Sequence, residues 1–218
     1  MRDLYKKLKI KVIGFGKIER LFMINENELK RIREYAELNN IPIMTDSGIT
    51  YLTHYIKTHS IKNILEVGTA IGYSAIMMCS VRSDITVTTI ERDEKRYLEA
   101  LKNIKAMHLE DRIHLIYKDA LDVKLDDKFD LIFIDAAKAQ NQKFFLKFEG
   151  YLNDHGTIIT DNMKFHGLVD KNPEEIESKN LRQLVRKVKD YKEFLIKNDD
   201  YQTDFLDVGD GLAVSVKY

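Results

Sequence analysis

The sequence predicts an α/β fold built on a mostly parallel sheet. Five short segments rich in Ile, Val and Thr are bounded by polar or glycine residues, which is typical of buried strands. Helical patterns lie between these segments, and strands that alternate with helices form right-handed βαβ units. Near the end of the chain, Gly209-Asp210-Gly211 joins two further apolar segments and predicts that the sheet ends in an antiparallel hairpin.

The predicted elements follow one another in a regular order. Two helices, at 26–38 and 47–59, precede the first strand. The five strands are predicted at 63–67, 85–90, 113–117, 129–134 and 156–160. Apolar residues at helical spacing predict helices at 94–105 and 142–152, and a long helix whose apolar stripe runs from Leu181 to Leu195. The hairpin strands are predicted at 203–208 and 212–217.

Composition and charge limit the class of protein. The 35 Lys and Arg residues balance 35 Asp and Glu residues, which argues against a uniformly basic nucleic-acid-binding protein. A single cysteine excludes an internal disulfide and favours a reducing cytoplasm. No secretory signal or membrane-spanning segment is visible, so we expect a cytoplasmic protein without membrane contact. The 218 residues fit one domain, with 1–60 as a helical lead-in and 61–218 as the core.

Polar and glycine residues follow the first three strands, where ligands of open parallel sheets bind. The first strand leads into Gly68 and Gly72, whose spacing is neither a dinucleotide fingerprint nor a P-loop. Glu91 follows the second strand and suits the hydroxyls of a ribose. Asp119 and Ala120 follow the third strand, where they would meet an adenine edge. Each residue alone is often a simple cap, but together they predict an adenosine-containing ligand.

Acidic residues follow the fourth and fifth strands. Asp135 comes after the fourth strand, and Asp161-Asn162 comes after the fifth. If these strands are neighbours, the three side chains meet at one edge of the sheet. Oxygen ligands without His or Cys select Mg²⁺, Mn²⁺ or Ca²⁺ over Zn²⁺. The alternative is that Asp161-Asn162 only caps a helix.

Six segments in order carry a family resemblance: ILEVGTAIGYS, TTIERDEKR, YKDAL, FIDAAKAQ, GTIITDN and VGDGLAVSVK. They resemble the metal-dependent O-methyltransferases of the catechol and caffeoyl-CoA type. This resemblance implies a Rossmann-like methyltransferase fold with a seven-stranded sheet, S-adenosylmethionine as methyl donor, bound Mg²⁺ and a homodimer. The segments PIM, EVGTAIGYSAI, IERDEKR, DNMKFHGLV and YQT…VGDGLA more closely resemble the bacterial tRNA 5-hydroxyuridine methyltransferases, which implies tRNA as substrate and 5-methoxyuridine at the wobble position as product.

The resemblance also implies roles for individual residues. The methionine part of the donor would contact Met44, Glu66, Gly68, Tyr73 and Ser74. The rest of the donor would contact Glu91 at the ribose and Asp119 and Ala120 at the adenine, with Asp135 beside it. The metal ligands would be Asp135, Asp161 and Asn162. Lys138 would be the general base or would stabilise the oxyanion, although a surface lysine is an alternative interpretation.

The acceptor is the part of the prediction with an open alternative. Met163-Lys164-Phe165 departs from the family pattern in the loop that would border the acceptor. A small catechol or caffeoyl-type phenol is therefore the alternative to tRNA. Residues 1–20 and 179–197 each carry seven basic and two acidic residues, which either face solvent or contact RNA phosphates. His166 lies near the predicted site, and a catalytic role for it is the less favoured interpretation.

Overall fold

The computed structural model describes residues 25–165 and 167–218. The basic N-terminal segment and His166 lie outside these described residues. The helices are α1 (Glu26–Leu38), α2 (Asp46–Thr58), α3 (Tyr73–Cys79), α4 (Glu94–Ala106), α5 (Asn141–Phe148) and α6 (Lys179–Ile196). The strands are β1 (Asn63–Val67), β2 (Thr86–Glu91), β3 (Ile113–Tyr117), β4 (Phe129–Ile134), β5 (Leu152–Thr160), β6 (Tyr201–Leu206) and β7 (Leu212–Lys217).

The strands of the described residues form one seven-stranded sheet in the order β3-β2-β1-β4-β5-β7-β6. The five strands from β3 to β5 are parallel, and β7 pairs antiparallel with both β5 and β6. The order reverses between β1 and β4, so a crevice forms where the connections after these two strands diverge. The predicted Rossmann-like fold with a terminal antiparallel hairpin is therefore confirmed.

Alternation along the strands produces two apolar layers, because successive strand residues point to opposite faces. Ile64 and Phe133 pack in the layer that contains α1 to α4, whereas Leu65 and Ile134 pack in the layer with α5 and α6. All four side chains are fully buried. A third, smaller cluster joins the loop after β5 to α6 through Phe165, Val169, Ile176, Val185 and Val188.

Local hydrogen bonds set where the helices begin. Polar side chains at the N-caps accept from the first free backbone N–H groups, as expected for Asn, Thr, Asp and Ser. These caps are Asn25 for α1, Thr45 for α2, Asp93 for α4 and Ser178 for α6. Within the described ranges, no helix is long and apolar enough to cross a membrane.

The largest boundary difference from the sequence prediction is at the α5–β5 junction. The predicted helix 142–152 ends at Phe148, and a 3₁₀ turn covers Glu149–Tyr151. Strand β5 begins at Leu152, four residues earlier than predicted. The pairing register between β4 and β5 shifts between Phe129 and Leu131, and His155 has a left-handed φ of 58°. This irregular, polar start breaks the apolar pattern on which the prediction depended.

Candidate functional site

A cleft of about 490 Å³ opens at the carboxyl ends of the parallel strands. Its volume lies within the range of small-molecule sites. The walls come from the residues after β1, β2, β3, β4 and β5, from residues 42–45 ahead of α2, and from the β6–β7 turn. The predicted site residues that line the cleft are Met44, Gly68, Tyr73, Ser74, Glu91, Asp119, Ala120, Asp135, Lys138, Asp161 and Asn162.

The glycine turn after β1 brings backbone close to β4. Gly68 has a φ of 102°, and a Cβ at this position would overlap the carbonyl oxygen of Asp135. Only glycine fits such a position without strain. The next turn residue, Ala70, donates its N–H to Glu91 Oε2 at 2.8 Å. The turn is therefore tied to both neighbouring strands, and its backbone faces the cleft.

Glu66 lies beneath the cleft rather than in its wall. Its side chain is fully buried, and its two oxygens accept hydrogen bonds from Ser74 Oγ at 2.5 Å and from Thr89 Oγ1. Burial raises the pKa of Glu66 to about 7, against the opposing effect of these two hydrogen bonds. The structure thus places Glu66 next to Ser74, which does line the cleft.

Glu91 and Asp119 are held by backbone N–H groups. Glu91 Oε1 accepts from the N–H groups of Arg92 and Asp93, both at 2.8 Å, in addition to the bond from Ala70. Asp119 accepts from Leu121 N at 2.9 Å and pairs with Arg92 Nη1 at 3.0 Å. The Leu121 bond and the Arg92 contact lower the pKa of Asp119. Both carboxylates are therefore oriented by the protein itself.

Asp135, Asp161 and Asn162 meet as the sequence predicted for neighbouring strands. Asn162 has a φ of 66°, which turns the chain after β5, and its Nδ2 donates to Asp135 Oδ1 at 2.8 Å. Burial and the charge of Asp135 raise the pKa of Asp161 to about 7. Burial also raises the pKa of Asp135, while Lys138 and Asn162 act in the opposite direction. Two repelling carboxylates therefore share one site.

This group of side chains has the chemistry of a site for a hard cation. In the described part of the chain, no group of three or more His, Cys, Asp or Glu residues could hold a metal, so the two carboxylates here would need a further ligand of another type. An ion here would bind through the two carboxylates and the amide. The amide nitrogen of Asn162 now faces Asp135. Rotation of the amide by 180° would turn its oxygen towards Asp135 instead, where it could serve as a ligand of the ion. The donor set fits Mg²⁺, which keeps several positions for other oxygens.

Lys138 lies in a short 3₁₀ turn of residues 138–140, near enough to Asp135 for its charge to act on that carboxylate. Its Nζ is 5.5 Å from the centre of the Phe165 ring. Phe165 is nearly buried and has a left-handed φ of 47°. The aromatic face and the carboxylate favour the ammonium at this point of the cleft. The segment after Asn162 therefore contributes a contact to Lys138 that sequence reasoning did not identify.

Asp210 is a cleft residue that the sequence interpretation treated only as part of a hairpin turn. It lines the cleft, and its charge raises the pKa of both Asp135 and Asp161. Backbone bonds from Met163 N to Gly211 O and from Lys164 N to Asp210 O fix the turn against the segment after β5. Because β7 runs antiparallel to β5, the β6–β7 turn lies at the edge of the cleft. The antiparallel hairpin predicted from the sequence was therefore the signal that could have placed Asp210 at the site.

Helix α6 carries three basic residues at spacings of four and three, namely Arg182, Arg186 and Lys189. Two of them contact backbone oxygens of the protein. Arg182 Nη1 donates to the carbonyl oxygens of Ile176 and Glu177, and Lys189 Nζ lies 3.5 Å from the carbonyl oxygen of Lys171. These bonds hold the loop after β5 against the helix. Arg186 of the same stripe is exposed. Of these three basic residues of α6, Arg182 and Lys189 therefore contact the backbone of the protein itself.

Comparison with known proteins identifies the family. The family model described as O-methyltransferase matches residues 21–218. A Staphylococcus aureus crystal structure, provisionally described as a caffeoyl-CoA O-methyltransferase, is 43% identical with a TM-score of 0.83, covering 87% of this chain and 92% of that one. A Populus kitakamiensis caffeoyl-CoA O-methyltransferase is 26% identical over 200 residues, covering 86% of this chain and 85% of the relative.

The fold is also shared with a Bacillus cereus O-methyltransferase crystallised with SAH. That structure is 24% identical with a TM-score of 0.76, and the match covers 91% of this chain and 94% of that one. The family match covers nearly all of the chain, including the cleft residues and the terminal hairpin. The chain belongs to the O-methyltransferase family.

Proposed function

We propose that the cleft binds S-adenosylmethionine and that the enzyme transfers its methyl group to an acceptor hydroxyl. The methyl group of this donor is bonded to a sulfonium, a good leaving group when an oxygen attacks in line. The observation that carries the proposal is that the glycine turn and the Asp135–Asp161–Asn162 group open into one cleft beside Lys138. A donor placed along Gly68 would then have its reactive end near the acidic group.

Different residues of the cleft would contact the methionine, ribose and adenine parts of the donor. Met44, Tyr73 and Ser74 line the end of the cleft proposed for the methionine part. Glu91 already accepts three backbone hydrogen bonds, two of them at Oε1, so Oε2 keeps the capacity for one more from a ribose hydroxyl. Asp119 and Ala120 would contact the adenine. Glu66 would act through Ser74, because it lies below the cleft surface.

Asp135, Asp161 and Asn162 would hold a divalent cation, with Mg²⁺ favoured and Mn²⁺ or Ca²⁺ as alternatives. Such an ion lowers the pKa of a hydroxyl that coordinates it and fixes its oxygen. Lys138 would stabilise the oxyanion that forms if it is present as the ammonium, or would accept the hydroxyl proton at Nζ if it is present as the neutral amine. The oxygen–methyl bond forms as the sulfur–methyl bond breaks, and the donor leaves as a neutral thioether.

The relatives favour a small phenol as the acceptor. The Staphylococcus aureus and Populus kitakamiensis relatives are named for caffeoyl-CoA, and a Vitis vinifera relative that is 26% identical is named a flavonoid methyltransferase. A catechol or caffeoyl-type phenol offers two adjacent oxygens, which suits a site where Asp135 and Asp161 would hold a cation that keeps positions for other oxygens. This acceptor class is the first candidate.

The second candidate acceptor is 5-hydroxyuridine in tRNA, whose hydroxyl and neighbouring carbonyl have the same arrangement of oxygens. One observation favours it: residues 42–44, which belong to the resemblance with the tRNA enzymes and not to the six general family segments, contribute to the cleft wall. The product would be 5-methoxyuridine at the wobble position. The exposed basic residues of α6 that remain available would then lie near RNA phosphates.

One set of assays tests these proposals. The purified protein is incubated with S-adenosylmethionine and either catechol, caffeoyl-CoA or tRNA that contains 5-hydroxyuridine, with Mg²⁺ or with EDTA. We expect transfer to one acceptor class, its loss in EDTA, and at least a hundredfold loss (an order-of-magnitude expectation for removing a transition-state charge contact) in Asp135→Asn. Asp154→Asn, an exposed change in β5, serves as the matched control.

Two outcomes would contradict the proposals separately. Full activity in EDTA and in Asp135→Asn would exclude the metal role while leaving methyl transfer intact. Activity on phenols with none on tRNA would remove the second candidate, and the reverse would remove the first. Mass spectrometry of tRNA nucleosides from cells with and without the protein supplies the second test, because loss of 5-methoxyuridine with gain of 5-hydroxyuridine is specific to the tRNA candidate.

A further inference from the structure

Arg33 of helix α1 joins two walls of the cleft. Its Nη1 donates to the hydroxyl of Tyr73 at 3.0 Å, and its Nη2 lies 2.5 Å from Asp46 Oδ1. The guanidinium carbon is also 5.7 Å from the centre of the Tyr73 ring. Tyr73 begins α3 directly after the glycine turn, and Asp46 begins α2 directly after the cleft residues 42–45. One side chain therefore connects the lead-in helix to both segments.

A second arginine of α1 reaches the same glycine turn indirectly. Arg31 Nη2 donates to Asn103 Oδ1 at 2.8 Å, and Asn103 Nδ2 donates to the carbonyl oxygen of Ile71 at 2.9 Å. Asn103 is fully buried, so its bond to Ile71 is shielded from water, whereas the bond from the exposed Arg31 is only partly buried. Helix α1 itself is fixed because Ile32 and Ala36 are buried in the core. The two arginines thus connect α1 to the turn after β1 and to the start of α3.

We infer that Arg33 is a positioning residue for the methyl donor. The inference rests on the proposed function, which places the methionine part of the donor against Tyr73 and Met44. Arg33 orders Tyr73 and residues 42–46 before the donor arrives, so the donor does not have to order them on binding. Without Arg33, donor affinity falls, whereas the chemistry at Asp135 and Lys138 is unchanged because Arg33 contacts neither residue.

The test compares Arg33→Met with Lys30→Met. Lys30 lies on the same helix in an exposed pair with Glu34 at 3.6 Å, so its replacement controls for loss of a positive charge from α1. Calorimetry gives the dissociation constant of S-adenosylhomocysteine, and kinetics give KM for the donor, KM for the acceptor and kcat. In Arg33→Met we expect donor binding to weaken about five- to twentyfold, as for a lost charge-assisted hydrogen bond, with kcat and acceptor KM within about twofold. Lys30→Met should match the wild type.

Tyr73→Phe provides a second, independent variant. It keeps the ring and removes the oxygen that accepts from Arg33, so a similar loss of donor affinity is expected. In the Arg33→Met/Tyr73→Phe protein the loss should not exceed that of Arg33→Met alone by more than about twofold, because Tyr73→Phe removes a hydrogen bond that Arg33→Met has already removed. Arg33→Met with wild-type donor affinity overturns the inference, as does a fall in kcat or thermal stability alone. A wild-type protein that binds no S-adenosylhomocysteine overturns the proposed function, and the inference with it.

Discussion

Replacing Glu66 by Gln should remove a large part of the pH dependence of folding stability. Glu66 is fully buried beneath the cleft, and burial raises its pKa from the ordinary value of 4.5 to about 7. Between these two values the folded protein keeps the carboxyl proton that the unfolded chain has released. Protons are then bound more strongly by the folded state, so the free energy of unfolding falls as the pH rises through this range and is constant above about pH 7.

The magnitude follows from the difference between the two pKa values. Each pH unit corresponds to about 1.4 kcal/mol, so a difference of about 2.5 gives roughly 3 kcal/mol of stability lost between pH 4.5 and pH 7. Glutamine has nearly the same shape and does not ionise. Its oxygen can accept from Ser74, and its nitrogen can donate to Thr89, which can then donate to Thr69 Oγ1 at 2.6 Å. The replacement should therefore keep its hydrogen bonds.

The assay is urea unfolding of the ligand-free protein at pH 5, 6, 7 and 8, for the wild type, Glu66→Gln and Glu34→Gln. Glu34 is exposed, and its replacement should follow the wild-type curve at every pH. Asp161 also contributes to the wild-type slope, so the quantity to compare is the difference between the proteins. We expect Glu66→Gln to gain about 2–3 kcal/mol relative to the wild type between pH 5 and pH 8, because the assay starts half a unit above the lower pKa. Parallel curves of stability against pH would refute the argument that burial raises the pKa of Glu66.

Three further predictions follow from the cleft. Gly68→Ala should destabilise the protein by about 2–4 kcal/mol in chemical unfolding, because the new Cβ overlaps the Asp135 carbonyl and φ is 102°; a stable variant with normal donor binding would contradict this. Arg182→Met should raise the acceptor KM about three- to tenfold without changing donor affinity, since the loop held at Ile176 is loosened. Mg²⁺ should raise the melting temperature of the wild type but not of Asp161→Asn, measured by calorimetry.

The sequence predicted the sheet well because each core strand is a short apolar segment with polar ends. The predicted bounds of β1, β3 and β4 agree with the structure, and β2 is shifted by one residue. The start of β5 was missed, since the polar residues Asn153 to His155 occupy an irregular register opposite Phe129 and Leu131. Hydrophobic pattern indicates burial, and these residues belong to the strand without being buried.

The site was predictable wherever a residue directly follows a parallel strand. Asp135 and Asn162 meet for that reason, and their 2.8 Å contact required only that β4 and β5 be neighbours. Asp210 was not recognised as a site residue because an Asp between two glycines is already explained by the hairpin turn that it forms. The contact between Lys138 and Phe165 depends on a left-handed loop, which no periodic pattern encodes.

The carboxylates of the cleft belong to two kinds, and this division explains how a protein of zero net charge can prepare a site for positive charge. Glu91 and Asp119 are held by backbone N–H groups, so they are rigid before any ligand binds. Asp135 and Asp161 instead repel each other, and Asp210 adds to this repulsion. In the proposed function, the first pair would provide a fixed frame for the neutral end of the donor. The second group gains most from a cation, because its members are destabilised until positive charge arrives.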